Sequence, residues 1–163
     1  MGETLDIRKY GPRDIPQMTE LWNSVVAAGN AFPQEEEMSE QQAAAFFAAQ
    51  SFAGVAVRRG EVVGLYILHP NNIGRCGHIS NASYAVKEGC RGMRIGEQLV
   101  RDSIVRGKEL GFQILQFNAV VADNTAAIAL YERIGFERIG MVRGGFRDKE
   151  GIYQDIVLFY IEL

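Results

Sequence analysis

Val86-Lys87-Glu88-Gly89-Cys90-Arg91-Gly92-Met93-Arg94-Ile95-Gly96 reads as the end of a strand, a glycine-containing loop and the start of a helix. Gly92 and Gly96 let the backbone bend so that successive N–H groups point one way, and a helix starting near Gly96 adds the positive end of its dipole. A phosphate group suits such a site. The loop alone is weak evidence, because loops that enter helices often use glycine for geometry and nothing else.

The downstream sequence makes the difference. Asn124-Thr125-Ala126-Ala127-Ile128-Ala129-Leu130-Tyr131 opens the last helix and Gly135-Phe136 stops it. The order Val86, Arg91-Gly92-x-x-x-Gly96, Asn124-x-x-Ala127-Ile128-x-Leu130-Tyr131 and Gly135-Phe136 resembles the GCN5-related N-acetyltransferase superfamily over nearly the whole chain. The resemblance implies an α/β (α+β) fold. Its mixed, strongly twisted sheet would have about six to seven strands, with parallel central strands splayed around the cofactor and about four flanking helices.

The flanking sequence fits that architecture. Leu5 to Tyr10 alternates apolar and polar residues as a half-buried strand does, and Gly11-Pro12-Arg13-Asp14 turns the chain into a helix with Asp14 as its expected N-cap. Ile15, Met18, Leu21, Trp22, Val25 and Val26 recur at helical spacing up to Gly29-Asn30, and the turn Phe32-Pro33 follows. Ser39 with Gln42 forms a capping box for a second helix, to Gln50. Val55 to Arg58 and Val62 to Leu68 read as a hairpin about Arg59-Gly60-Glu61, and His78 to Val86 as the strand entering the loop. A helix from about Gly96 to Leu110, a strand from Ile114 to Ala119, and final strands Glu137 to Val142 and Ile152 to Ile161 complete the reading. Two strand–helix–strand units predict local parallel pairing.

With 163 residues, 47% of them apolar, the chain is expected to form one domain over residues 1–163. A formal charge of −3 gives no general attraction to nucleic acid or anionic lipid, although Arg91, Arg94 and Arg101 make a local basic patch. No apolar run is long enough to span a bilayer and the N-terminus lacks signal-peptide character, so a cytoplasmic location is expected, with no membrane partner. Cys76 and Cys90 read as reduced thiols, and His69, His78 and Cys76 make a poor metal set, so no metal is expected.

The resemblance implies acetyl-coenzyme A as co-substrate. Backbone amides from Arg91 through Gly92, Met93, Arg94 and Ile95 to Gly96 would cradle its pyrophosphate, and Tyr84-Ala85-Val86 would pair with the pantetheine arm as if it were another strand. A backbone N–H near Val86 would stabilise the oxyanion of acyl transfer. Tyr131 resembles the family tyrosine that protonates the departing thiolate, and it also fits an aromatic packed at helical spacing. Asn124 is a cofactor-binding candidate that also fits a helix N-cap. Arg94 departs from the family pattern, which carries glycine there.

For the acceptor, Asn81 and Asn118 stand out because asparagine is depleted inside strands. A carboxamide can donate to a carboxylate and accept from an amine, so two of them suit an amino or imino acid. The paired segments resemble acetyltransferases that modify proline analogues in fungi and their bacterial relatives, which makes Asn81 and Asn118 substrate-binding candidates, as is Phe32 in its turn. Gly144-Gly145-Phe146-Arg147 is expected to connect the last two strands, and the resemblance implies that this loop walls the acceptor pocket together with the Phe32-Pro33 turn, which makes Phe146 a candidate with Arg147 and Tyr153 beside it. Many relatives carry a glutamate as general base on the strand before the loop, but no acid lies between His78 and Val86. His78 is the available substitute and reads as solvent-facing; the alternative is that no side-chain base is required, the amine arriving deprotonated and proximity to the thioester supplying most of the acceleration.

The leading reading is an N-acetyltransferase acting on a small-molecule amine by direct attack in a ternary complex. Acetylation of a protein or peptide, through an acidic groove near Glu35-Glu36-Glu37, is the second reading, and a silent coenzyme A sensor the third. Edge strands near the C-terminus suit a homodimer.

Overall fold

The computed structural model describes residues 4–90 and 93–163. The loop residues Arg91 and Gly92 lie outside the described residues. Seven strands form one sheet in the order β1-β2-β3-β4-β5-β7-β6. The strands are β1 (Asp6–Lys9), β2 (Phe52–Arg58), β3 (Glu61–Pro70), β4 (Ile79–Val86), β5 (Ile114–Val121), β6 (Glu137–Arg147) and β7 (Tyr153–Glu162). The α-helices are α1 (Ile15–Ala28), α2 (Glu40–Ala48), α3 (Ile95–Glu109) and α4 (Thr125–Ile134). The only parallel pair among the described strands is β4 with β5. The second strand–helix–strand unit ends in β6, which β7 separates from β5.

Period-two alternation sorts side chains onto two cores. On one face Val55, Leu65, Ile67 and Ala85 meet the apolar stripe of α1 and the α2 residues Ala43 and Phe47. On the other face Ala56, Tyr66, Leu68, Ala82, Leu115 and Phe117 meet Ile95, Leu99 and Val100 of α3. Gly64 brings α3 close, since a Cβ there would lie 2.9 Å from side-chain carbons of both Ile95 and Leu99. That close approach aims the N-terminus of α3 at the end of β4. The β2–β3 hairpin turns on Arg59-Gly60, both at positive φ, as a tight two-residue turn requires.

Local expectations mostly hold, with two corrections. Ser39 and Gln42 form the capping box before α2. Asp14, in contrast, makes no cap bond to α1. Its carboxylate instead accepts from the Gly11 amide at 2.7 Å and from both terminal nitrogens of Arg8 at 2.7 and 3.0 Å, closing the turn before the helix. The Arg8 hydrogen bonds are the main force holding Asp14 below the ordinary carboxylate range.

The second correction concerns Gly144 to Arg147, which belong to β6 itself; the connection is Asp148 to Ile152. A Cβ at Gly145 would lie 2.6 Å from Ile156, so glycine allows the pairing to continue past the irregularity between Val142 and Phe146. Asp148 Oδ1 accepts from the amides of Glu150 and Ile152, which closes the turn. On this edge strand Ile139, Met141 and Val142 are about half exposed.

Candidate functional site

The seam between β4 and β5 decides the site. The two strands pair only at Ile79–Ile114 and Ser80–Leu115, and beyond that point β4 has no partner on this side. β5 is irregular at the same level, where its register against β7 breaks between Phe117 and Val120. A cleft of about 810 Å³ opens there. Its walls include Phe32, Phe46 and Gln50 on the α1/α2 side and Phe117, Ala127 and Tyr131 on the α4 side, so it passes through the gap in the sheet.

Backbone alternation shows which groups face the gap. Lys87 donates to the Val63 carbonyl and Ile79 accepts from the Asn71 amide, so the odd-numbered positions of β4 bond to β3. The amides of Ala82, Tyr84 and Val86 therefore face the open side. Ala85 differs from the expectation for this stretch. Its amide points to β3 and its side chain is buried in the α1/α2 core. An extended amide-bearing chain can add to this free edge as a strand would.

The loop end of the site fits an anion. Gln98 N–H bonds to the Arg94 carbonyl, which leaves the amides of Ile95, Gly96 and Glu97, the first turn of α3, without a partner inside the helix. The Ile95 side chain is buried and Met93 is half-buried against the same core, so backbone rather than side chain faces out. A Cβ at Gly96 would meet Leu130 and Val86 only at 3.9 Å, ordinary contact, so no protein neighbour demands glycine there. The Glu97 carboxylate is neutralised by Arg101 and Arg133, each at 3.0 Å, which also ties α3 to α4 and occupies Arg101. Those hydrogen bonds, Arg101 first, lower the Glu97 pKa.

Arg94, at the position where the resemblance implies glycine, takes a glycine-like conformation, with φ 55° and ψ 36°. Its side chain is exposed. Asn124 caps α4, its Oδ1 accepting from the Ala127 amide at 3.2 Å, while the residue also lines the cleft. Tyr84 spends its hydroxyl on Ser103 Oγ at 2.7 Å, and burial raises its pKa well above the usual value, so only its backbone faces the gap.

Tyr131 lies on the cleft wall with its ring against Phe117, Phe136 and Phe159, at centroid distances of 4.6, 5.6 and 5.8 Å. Burial pushes its pKa up to about 12, so the hydroxyl keeps its proton at neutral pH. No hydrogen bond to that hydroxyl occurs among the described residues.

Asn81 and Asn118 come together on the face of the sheet toward α1 and α2. Both donate to Oδ1 of Asn71, at 3.2 and 2.5 Å, and Gln116 donates to Asn118 Oδ1 at 3.0 Å. Sequence reasoning missed Asn71. It lies in the loop after β3, where no periodicity marks a residue, and the repeated amide Asn71-Asn72 was the only signal.

Phe32 lines the cleft, its ring tilted against Trp22 with the centroids 4.4 Å apart. Phe146 does not line it. Its place in β6 puts it in a neighbouring cavity of about 650 Å³ that shares Phe32 with the main cleft. Tyr153 is 67% exposed and lines neither cavity, and Arg147 pairs with Glu35 at 2.7 Å. His78 is exposed, whereas His69 is half-buried and lines the cleft. No group of metal-ligating side chains occurs among the described residues, and no helix there is long and apolar enough to cross a membrane.

Comparison with known proteins agrees with the geometry. Residues 16–136 match the model of the acetyltransferase (GNAT) family. The chain is 27% identical over 164 aligned residues to N-acetyltransferase aca1 of Schizosaccharomyces pombe, covering 89% of this chain and 78% of that protein. It is 28% identical over 144 residues to the L-methionine sulfoximine/L-methionine sulfone acetyltransferase of Pseudomonas paraeruginosa, covering 83% and 82%. A GCN5-related N-acetyltransferase structure from Kribbella flavida superposes with a TM-score of 0.89 at 30% identity over 98% of each chain. The splayed strands, the anion-ready helix end and this match over most of the chain make the protein a member of the acetyltransferase (GNAT) family, an acyltransferase that uses acetyl-coenzyme A.

Proposed function

We propose that the protein acetylates the amine of a small amino- or imino-acid-like acceptor by direct attack within a ternary complex. The observation that carries this reading is the character of the cleft. Carboxamides of Asn30, Gln34, Gln50, Asn71, Asn81 and Asn118 line it, and no Asp, Glu, Lys or Arg occurs among its described lining residues. A polyamine or aminoglycoside would bring several positive charges into a site with no carboxylate to meet them. An amino acid brings one charge of each sign, and carboxamides can donate to one and accept from the other. The relative that acts on L-methionine sulfoximine and sulfone supports the same class of acceptor.

Acetyl-coenzyme A supplies an activated thioester when bound. The first-turn amides of α3 receive its phosphates, and the open edge of β4 aligns its amide-bearing arm. The Val86 N–H donates to the carbonyl oxygen that gains negative charge, and Tyr131 gives its proton to the departing sulfur. Asn81 and Asn118, steadied by Asn71, orient the acceptor. The peptide reading loses its acidic groove in part, because Glu35 is engaged by Arg147. The exposed apolar edge of β6 favours a homodimer, which light scattering would read as twice the chain mass.

The test is thiol release from acetyl-coenzyme A against a panel of amino acids, imino acids, polyamines, aminoglycosides and peptides, with mass spectrometry of the products. Acetylated amino or imino acid is the expected product. Turnover confined to polyamines or peptides would overturn this reading.

A further inference from the structure

The strand before the loop carries no acid, so any side chain that removes the acceptor's proton comes from elsewhere. We propose that His69 is that proton acceptor, with Nε2 as the accepting atom. This rests on the acceptor reading above and extends it to a residue that sequence reasoning weighed only as a metal ligand.

Three observations place it. His69 lies near the end of β3, directly opposite Asn81 in the register of β3 against β4. Opposed residues of an antiparallel pair project to the same face, so the imidazole stands beside the carboxamide proposed to hold the acceptor. The residue is half-buried and lines the cleft.

The third observation fixes the tautomer. His69 Nδ1 lies 2.9 Å from the carbonyl oxygen of Pro70. A carbonyl can only accept, so Nδ1 must donate, and the proton of the neutral ring resides there. Nε2 then carries the lone pair. Pro70 lacks a backbone N–H, but its carbonyl suffices to hold the ring.

The charges around the ring do not oppose this role. Tyr84 and Tyr131 are the other titratable side chains among the described residues lining the cleft, and burial keeps both protonated at neutral pH. Neither carries a charge that would block proton uptake by the imidazole. His78, the other histidine of the chain, is exposed and outside the cleft.

The proton inventory closes. The acceptor's ammonium gives one proton to Nε2 of His69, and the freed nitrogen lone pair forms the C–N bond at the acetyl carbonyl carbon. As the C–S bond breaks, the Tyr131 hydroxyl proton passes to sulfur, and a second proton leaves the new amide nitrogen for the Tyr131 oxygen. His69 releases its proton to solvent. The sum is one ammonium and one thioester converted to one amide, one thiol and one proton.

His69→Gln tests this, because glutamine keeps polar contacts and cannot take the proton. The expected result is a loss in acceptor kcat/KM of about 100-fold at neutral pH, the usual size of a general-base contribution. The deficit shrinks as alkaline pH deprotonates the amine in solution, and the KM for acetyl-coenzyme A stays unchanged. A loss that does not vary with pH, an equal loss in cofactor KM, or wild-type activity in the variant would overturn the role.

Nitrogen-15 NMR of the resting protein gives a readout independent of turnover, with His78→Gln assigning the second ring. In the neutral ring of His69 the proton is expected on Nδ1, and a neutral ring protonated at Nε2 instead would overturn the proposal. If the wild type turns over only peptides or polyamines, the acceptor reading fails by itself. The His69→Gln pH profile on that amine still decides the base.

Discussion

The two halves of the sheet are built to different standards. From β1 to β4 the strands are closely paired, with one register shift, between Ala56 and Val57 of β2, and β3 meets β4 in unbroken register from Gly64–Val86 to Pro70–Ser80. From β5 to β6 the register breaks repeatedly, between Phe117 and Val120, between Arg138 and Gly140, and between Val142 and Phe146. The halves meet through two residue pairs. A sheet paired along its whole length would have no free amides on its central strands, whereas this one leaves one edge of β4 open beside a well-packed core. The regular half fixes where the open amides point, and the irregular half leaves room for what they bind.

That division can be tested first at Tyr131, which the irregular half supplies through α4. Its ring is held by three aromatic neighbours that Tyr131→Phe leaves untouched, so only the proton is removed. Turnover should fall by about 100-fold or more, in the range of general-acid contributions. The affinity for acetyl-coenzyme A, read by calorimetry, should stay near the wild-type value. Equal loss of binding and turnover would return the tyrosine to a packing role and leave the irregular half without chemistry.

Much of this arrangement was readable in sequence, and the boundary is physical. The stripe of α1, the Ser39 capping box, the glycine stop at Gly135 and the strand into the loop are local patterns, written within a few residues of one another. Asn81 and Asn118 stood out because they break a local rule. The divergence of β4 from β5 is a relation between segments more than thirty positions apart in sequence, with no local signature. Asn71 and His69 became visible only once that divergence placed them on a wall. Phe146 was misplaced for the converse reason, since Gly144-Gly145 is a strong turn signal that the Ile156 contact at Gly145 overrides.

The next test falls on the seam. Asn71 comes from the regular half and accepts from asparagines of both β4 and β5, so it bridges the gap. Asn71→Ala removes the shared acceptor and leaves two carboxamides free to rotate. Loss of a net hydrogen bond of about 1 to 1.5 kcal/mol should raise the acceptor KM about tenfold, with the KM for acetyl-coenzyme A unmoved. If Asn81→Ala and Asn118→Ala have the same effect and the double change Asn81→Ala with Asn71→Ala is less than additive, the three act as one clamp. Full additivity would separate them.

The smallest expected effect lies at Arg94, where β4's open edge gives way to α3. A left-handed conformation costs a residue with a side chain about 1 to 2 kcal/mol, and glycine avoids that cost at the expense of about 0.5 to 1 kcal/mol of extra freedom in the unfolded chain. Arg94→Gly should therefore stabilise the fold by roughly 0.5 to 1 kcal/mol, read as a shift in the denaturation midpoint with the slope unchanged. The same variant asks why arginine is kept in a position that strains it. Weaker binding of acetyl-coenzyme A alongside the gain in stability would show that the guanidinium closes over the phosphates, so that strain is held in exchange for a contact. Unchanged binding would mean that the backbone amides of the α3 end suffice, and that the side chain lies in solvent.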